Sequence, residues 1–335
     1  MAIIESYFSW QDFLCSPKPK NSVEEIVDII YGKGSWNFIE NNAKNYDWEL
    51  SYDYTQSFEK RRWLIVRNDT DEAQEMIKSL VPKVKQDVLK YATSNNLLPK
   101  DFDLKIVLLP PHSRSASSWN PNLMRLELGQ YGFECTEVAG KLRVNPCAAY
   151  SAVFHEVLGH ASHQYHSTAM PLSLQFTQQI GYILPTKIIS EGIGMYREGM
   201  CLDYIAKSKD EIGLTEDEIS SFSLAYKEII QRQLMDLHYV LVKEKEIRGE
   251  ASVVDYIKTL TGNAALARMY KYQPSNTFEN SFPGLAHALG FNYIKKLVDA
   301  FSPKDISIGM LKGDWTWQVY PEFLKLYMKS NGQLL

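Results

Sequence analysis

The sequence predicts a mainly helical protein of the α+β class with one small sheet-forming region in its first half. Three observations carry that prediction. Ser22-Val23-Glu24-Glu25 and Thr215-Glu216-Asp217-Glu218 both fit the S/T-x-x-E capping box, in which the hydroxyl accepts from a free first-turn amide and the glutamate reaches back to the cap amide. Each box should open a helix. Residues 71–96 and 214–247 carry apolar side chains at spacings of three and four, the period of one helix face. By contrast, Asp103–Leu108 and Lys141–Val144 are short and strand-like.

A chain of 335 residues suggests one large domain or two intimate ones. A soft boundary near residue 100 would divide a helical region, 1–100, from a larger unit, 101–335. Apolar residues make up 45% of the chain and charged residues 23%, the balance of a globular protein able to bury a sizeable core. A net charge of -4 and a pI near 6.0 give no electrostatic reason to expect nucleic acid or an anionic membrane as a partner. The first twenty residues carry Glu5 and Asp12 within their apolar portion and do not read as a secretory signal. No window approaches a membrane span, and the run Ile106–Leu109 stops at Pro110-Pro111. Cys15, Cys135, Cys147 and Cys201 lack CxxC spacing and read as reduced thiols, which makes the cytoplasm the simplest expected location. Pro110–Asn122, rich in Ser, Pro and Asn, reads as a loop, and the chain shows no internal repeat or long linker.

Chemistry concentrates in FHEVLGHASHQYH, where thirteen residues hold four of the chain's seven histidines and one glutamate. Neutral imidazole is a good zinc ligand. The familiar zinc-hydrolase pattern is H-E-x-x-H, two histidines on one helix face with a glutamate placed to deprotonate water. Here it is H-E-x-x-x-H: His155 and His160 are five apart, which on a regular helix turns them roughly 140° from each other. A single wide turn, a π-bulge, would absorb the extra residue, and Gly159 supplies local permissiveness just before His160. His160, His163 and His166 also form a three-residue stripe that could itself bind metal, although an outer or surface role for the last two is the preferred reading.

A catalytic zinc takes three protein ligands and keeps one position open. Glu191, which opens the amphipathic stretch EGIGMYREGMCLDY, is the best third candidate; its bland alternative is an exposed first-turn carboxylate favoured by the helix dipole. Glu198, seven residues on, falls near the same face and reads as a partner orienting a ligand histidine, or as a substitute ligand.

HEVLGH followed after about thirty residues by EGIGMYREGM resembles the gluzincin metallopeptidases, and two of their groups in particular. One is the tubulin-tyrosine carboxypeptidase family, with H-E-x-x-x-H and a later E-G-L-A-type glutamate. The other is a bacterial carboxypeptidase-like family with HE..PGHH and EGWALYAE motifs. The second likeness continues through Arg232, Asp236 and His238, then VVDYIKTLTG, Ala267-Arg268-Met269-Tyr270, Pro283-Gly284 and LAHALGFNYIKKL, so that it covers roughly residues 140–300. The chain departs from it in histidine spacing and in carrying His287 where the register of Gly290 calls for tyrosine. The resemblance implies a helical zincin-like peptidase fold with a small sheet flanking the metal helix. It further implies one Zn2+ per chain held by His155, His160 and Glu191, Glu156 as general base, and a peptide or small amide as substrate.

The oxyanion of the tetrahedral intermediate needs a donor opposite the base, and His238, Tyr270 and His287 are the candidates drawn from the matching region. Arg232 and Asp236, four apart, are first of all a helix ion pair, with substrate-carboxylate anchoring the sharper alternative. The strand Lys141–Asn145 precedes the metal helix and could offer an edge to an extended peptide. Similar scaffolds serve different chemistries. An amidohydrolase on a small molecule would use the same parts, and Glu156, His160 and His163 match the two-histidine, one-carboxylate set of a non-haem iron oxygenase or oxidase. A non-catalytic metal-binding scaffold is a third reading.

Overall fold

The computed structural model describes residues 20–44, 65–67, 70–109, 117–128, 136–138, 141–144, 146–168, 184–212 and 278–300, with isolated positions at 8, 9, 11–13, 16, 18, 214–216, 219, 220, 223, 255 and 259. These residues are mostly helical and carry two three-stranded sheets.

α1, Val23–Tyr31, begins as its sequence dictates: the Ser22 hydroxyl accepts from the Glu25 amide, and the Glu25 carboxylate accepts from the Ser22 amide. Asp28 then takes the amides of Gly34 and Trp36, tying the turn into α2, Ser35–Lys44. β1 is Ile65–Arg67, and α3, Thr70–Ser94, follows the predicted helical spacing. β2, Lys105–Leu108, falls within the expected strand. Within the stretch expected as a loop, 110–122, Ser118–Asn120 form β3, paired antiparallel with β4, Arg125–Leu128, in the register Trp119 to Leu126, while 110–116 lie outside the described residues. β4 also pairs in parallel with β2, so β3 is an edge of that sheet.

In the other sheet β5, Thr136–Val138, and β1 flank β6, Lys141–Val144. Along Lys141–Val144 both sides are therefore taken up by neighbouring strands, and the expectation of a free peptide-binding edge there is corrected: strand composition does not reveal the place of a strand in a sheet.

β6 leads into α4, Pro146–Val153, which runs directly into a π-helical segment, Phe154–Ala161, and then α5, Ser162–Thr168. α6, Leu184–Ile212, and α7, Phe278–Ala300, pack along each other.

Two cores hold these elements. Val84, Val88 and Ala92 of α3, Leu126 and Leu128 of β4, Tyr150 and Val153 of α4, Phe154, Val157 and Leu158 of the π segment, and Cys201 and Ile205 of α6 form one. Ile26 and Ile30 of α1, Ile39 of α2, Ile189 and Ile193 of α6, and Leu289 and Ile294 of α7 form the other. α6 contributes to both, its first half to the core with α1 and α7 and its second half to the core with α3 and α4. Cys147 and Cys201 are buried cysteines outside any disulfide among the described residues; Cys15 and Cys135 lie outside the described residues. Among the described residues no helix is long and apolar enough to cross a membrane.

Candidate metal centre

Phe154 anchors the start of the π segment. Its ring lies 5.2 Å from Tyr91 of α3 and 5.5 Å from Tyr204 of α6, which fixes the backbone immediately before His155. The wide turn expected from the five-residue histidine spacing is present. In a π turn hydrogen bonds close over five residues, and the Ser162 amide indeed bonds the Val157 carbonyl as well as that of Gly159. The carbonyl in between, of Leu158, is taken by the Ser162 hydroxyl. The His155 and His160 rings are thereby brought to 5.0 Å between centroids.

Gly159 has a different role from the one its sequence position suggested. A Cβ there would lie 2.7 Å from Gly194 Cα of α6, so the glycine permits backbone contact rather than an unusual dihedral. Gly194 in turn faces the His155 ring, where a Cβ would sit 2.6 Å from Nε2. These two glycines let α6 approach closely enough for its carboxylates to reach the histidines.

Glu191 Oε2 is 3.5 Å from His155 Nε2 and 3.6 Å from His160 Nε2. Glu191 does not open its helix, as its sequence setting suggested, but lies about two turns inside α6 with its side chain largely buried, so the exposed first-turn alternative falls away. Glu198, seven residues on, does reach the same histidine: its Oε2 is 3.2 Å from His155 Nδ1, and its Oε1 accepts from the Ser151 hydroxyl at 2.7 Å. His160 Nδ1 is 3.1 Å from Ser190 Oγ. Each histidine thus has its far nitrogen held and its Nε2 turned toward Glu191.

Glu156 is buried, and its Oε2 accepts the Trp119 amide of β3 at 2.7 Å. The Trp119 indole donates to Gln164 Oε1 of α5 at 2.6 Å and lies near Phe102. His287 of α7 also enters the site, with Nε2 3.0 Å from Glu191 Oε2 and its ring stacked 6.1 Å from that of His155.

The electrostatics follow from this crowding. Burial opposes a charged His155, but hydrogen bonds to Glu191 and Glu198 and the negative charge of Glu156 outweigh it, holding the imidazole well above its usual range. His287 is raised for the same balance of reasons, with Glu191 as the main attraction. Burial would raise Glu191, yet the charge of His287 and hydrogen bonds from three imidazoles pull its carboxyl well below the carboxylate range.

No protein-family model matches the chain, and no curated protein matches it. The fold has a solved counterpart. A candidate lipoprotein from Colwellia psychrerythraea superposes with a TM-score of 0.57 at 12% identity, over 98% of this chain and 55% of that one. The chain therefore spans about half the length of that protein, and at such identity the likeness is one of fold.

The donor set fits a metal ion. Two ligands about 2.1 Å from one tetrahedral ion stand roughly 3.4 Å apart, close to the two Glu191 separations. Among the described residues, His155, His160 and Glu191 are the trio whose ligand atoms all lie within 4.8 Å of one another. The alternative set of Glu156, His160 and His163 is not assembled: Glu156 is turned to Trp119, and the buried His163 is absent from the cluster. His238, Tyr270, Arg232 and Asp236 lie outside the described residues, as does the His166 side chain. Sequence reasoning missed Trp119, Ser190 and Ser151. Trp119 sat in a stretch read as loop, while Ser190 had one usable signal, its place beside Glu191.

Proposed function

We propose that the chain is a zinc-dependent hydrolase acting on peptide bonds, with His155, His160 and Glu191 as ligands and Glu156 as general base. The observation that carries this reading is the convergence of three ligand atoms, two of them on imidazoles whose far nitrogens are already held. Glu198 holds Nδ1 of His155 and Ser190 that of His160, which selects Nε2 as the ligating atom and orients each ring. Zinc bound by such a trio supplies Lewis acidity toward water and a carbonyl oxygen.

The remaining work belongs to the chain. The Trp119 amide holds Glu156 Oε2, leaving Oε1 as the oxygen that takes a proton from the attacking water and passes it to the leaving amine. β3, as the sheet edge bearing Trp119, lies beside that base. The likeness of HEVLGH and EGIGMYREGM to the gluzincin motifs supports a peptide rather than a small amide as substrate, within a zincin-like helical scaffold.

Elemental analysis of the purified protein tests the reading. About one zinc per chain is expected, lost in His160→Ala and Glu191→Ala and kept in Glu156→Gln. The last variant should abolish cleavage of a quenched-fluorescent peptide library. Iron in place of zinc, or full metal retention without Glu191, would sink the proposal. Cleavage of small amides alone, with every peptide refused, would move the substrate to the amidohydrolase class.

A further inference from the structure

Three imidazoles converge on one oxygen, Glu191 Oε2, but not in the same way. His155 and His160 stand at 3.5 and 3.6 Å, spacings suited to ligands sharing an ion, whereas His287 stands at 3.0 Å, the length of a direct N–H···O hydrogen bond. His287 is also outside the trio whose ligand atoms lie within 4.8 Å of one another. Its other nitrogen, Nδ1, is buried and has no hydrogen-bond partner among the described residues, so the ring is held on its polar side through Nε2 and Glu191.

The backbone is built to bring that ring there. A Cβ on Gly192, next to Glu191, would lie 2.5 Å from the Gly290 carbonyl oxygen and 2.6 Å from its carbon. Gly290 is three residues beyond His287 and so close to the same face of α7. α6 and α7 therefore meet backbone to backbone beside the Glu191–His287 pair, an approach that any larger residue at position 192 would prevent. Glu191 accepts this hydrogen bond deep in the interface between its own helix and α7, with Ile193 and Leu289 buried in the same core.

We infer that His287 is a positioning residue of the metal centre: its Nε2–H donates to Glu191 Oε2 and fixes the carboxylate for ligation, across a helix contact that Gly192 makes possible. This rests on the metal-centre reading and gives the residue a role other than the oxyanion donor expected from the sequence. A ring whose Nε2 is engaged by Glu191 is not available as an oxyanion donor. It also makes α7, which contributes no ligand, part of the site through one hydrogen bond.

The test uses the full chain, stripped of metal and titrated with Zn2+ against a chromophoric chelator and with Co2+ followed by visible absorption. Wild type, His287→Ala and His287→Gln are compared, with far-UV circular dichroism of the metal-free forms establishing that each is folded. His287→Ala is expected to weaken zinc binding roughly 10- to 100-fold, the range for losing a partner of a ligand, with the cobalt bands unchanged in intensity at saturation. His287→Gln, which keeps an N–H donor, should recover most of the loss. Unchanged affinity in His287→Ala overturns the inference while leaving the metal centre intact. Altered cobalt band intensity in that variant overturns it in favour of a fourth ligand. A wild-type chain that binds neither ion overturns the metal-centre reading and the inference together.

Discussion

Gly194 shows how narrowly the site is built at the level of single residues. A methyl group at this position would meet the His155 ring at 2.6 Å from both Cε1 and Nε2, against the edge of the imidazole that faces Glu191. The ring cannot swing aside freely, because its Nδ1 is held by Glu198. Gly194→Ala is therefore expected to displace His155 and abolish zinc loading measured by elemental analysis. Gly34→Ala provides the contrast: nothing lies within 4 Å of the added methyl, but φ is +88°, so the variant should cost about 1–2 kcal/mol in urea unfolding and keep its zinc. Equal zinc in both variants would remove the steric argument. Residues of this kind are half legible in sequence. HEVLGH and EGIG announce the candidate ligands and even the seven-residue step to Glu198, because imidazole and carboxylate side chains in such a pattern point first to a metal. Trp119 is not announced, and His287 enters the sequence reading only as an oxyanion candidate without its Glu191 partner, since each reaches the site from an element distant in sequence and only tertiary packing sets their partners.

The π segment poses a problem of hydrogen bonding for the element as a whole. Widening the turn redirects the Ser162 amide to the Val157 and Gly159 carbonyls and leaves the Leu158 carbonyl without its usual i+4 donor. The Ser162 hydroxyl, fully buried, fills that place. Ser162→Ala should leave a buried carbonyl unsatisfied, lowering stability by about 1–3 kcal/mol in urea unfolding and weakening zinc binding as the turn loses its clamp. Unchanged stability and unchanged affinity together would show that the backbone holds the π turn unaided. The existence of this turn follows from the sequence, since two histidines five apart can share an ion only if one residue is absorbed. The positions of the strands do not follow in the same way. Lys141–Val144 reads as a strand from its composition, but its central place between β1 and β5 depends on pairing partners far along the chain. Ser118–Asn120, short and polar, pairs only because Arg125–Leu128 folds back beside it.

At the scale of the molecule, the site lies where the two cores meet along α6, so the charges gathered there are coupled to the stability of both. Consider the metal-free protein. His155 and His287 have pKa values raised above the ordinary 6.5, and a group raised on folding contributes stability that is complete below its unfolded value and is lost as pH climbs through the folded one. Glu191 is lowered below 4.5, and its contribution is complete above that value and lost as pH falls through the depressed one. Both contributions are in force together between about pH 4.5 and 6.5, and the histidine share declines above that window. Zinc ligation runs the other way, because it requires neutral imidazoles and releases their protons. The metal-free chain, kept in chelator, should therefore lose thermal stability from pH 6 to 8, while the rise in Tm on adding zinc grows over the same interval. Differential scanning calorimetry of both forms at half-unit steps measures this directly. A metal-free Tm that climbs toward pH 8, or a zinc increment that stays flat, would mean that His155 is already neutral in the empty site and that the carboxylates around it do not hold a proton there for the metal to displace.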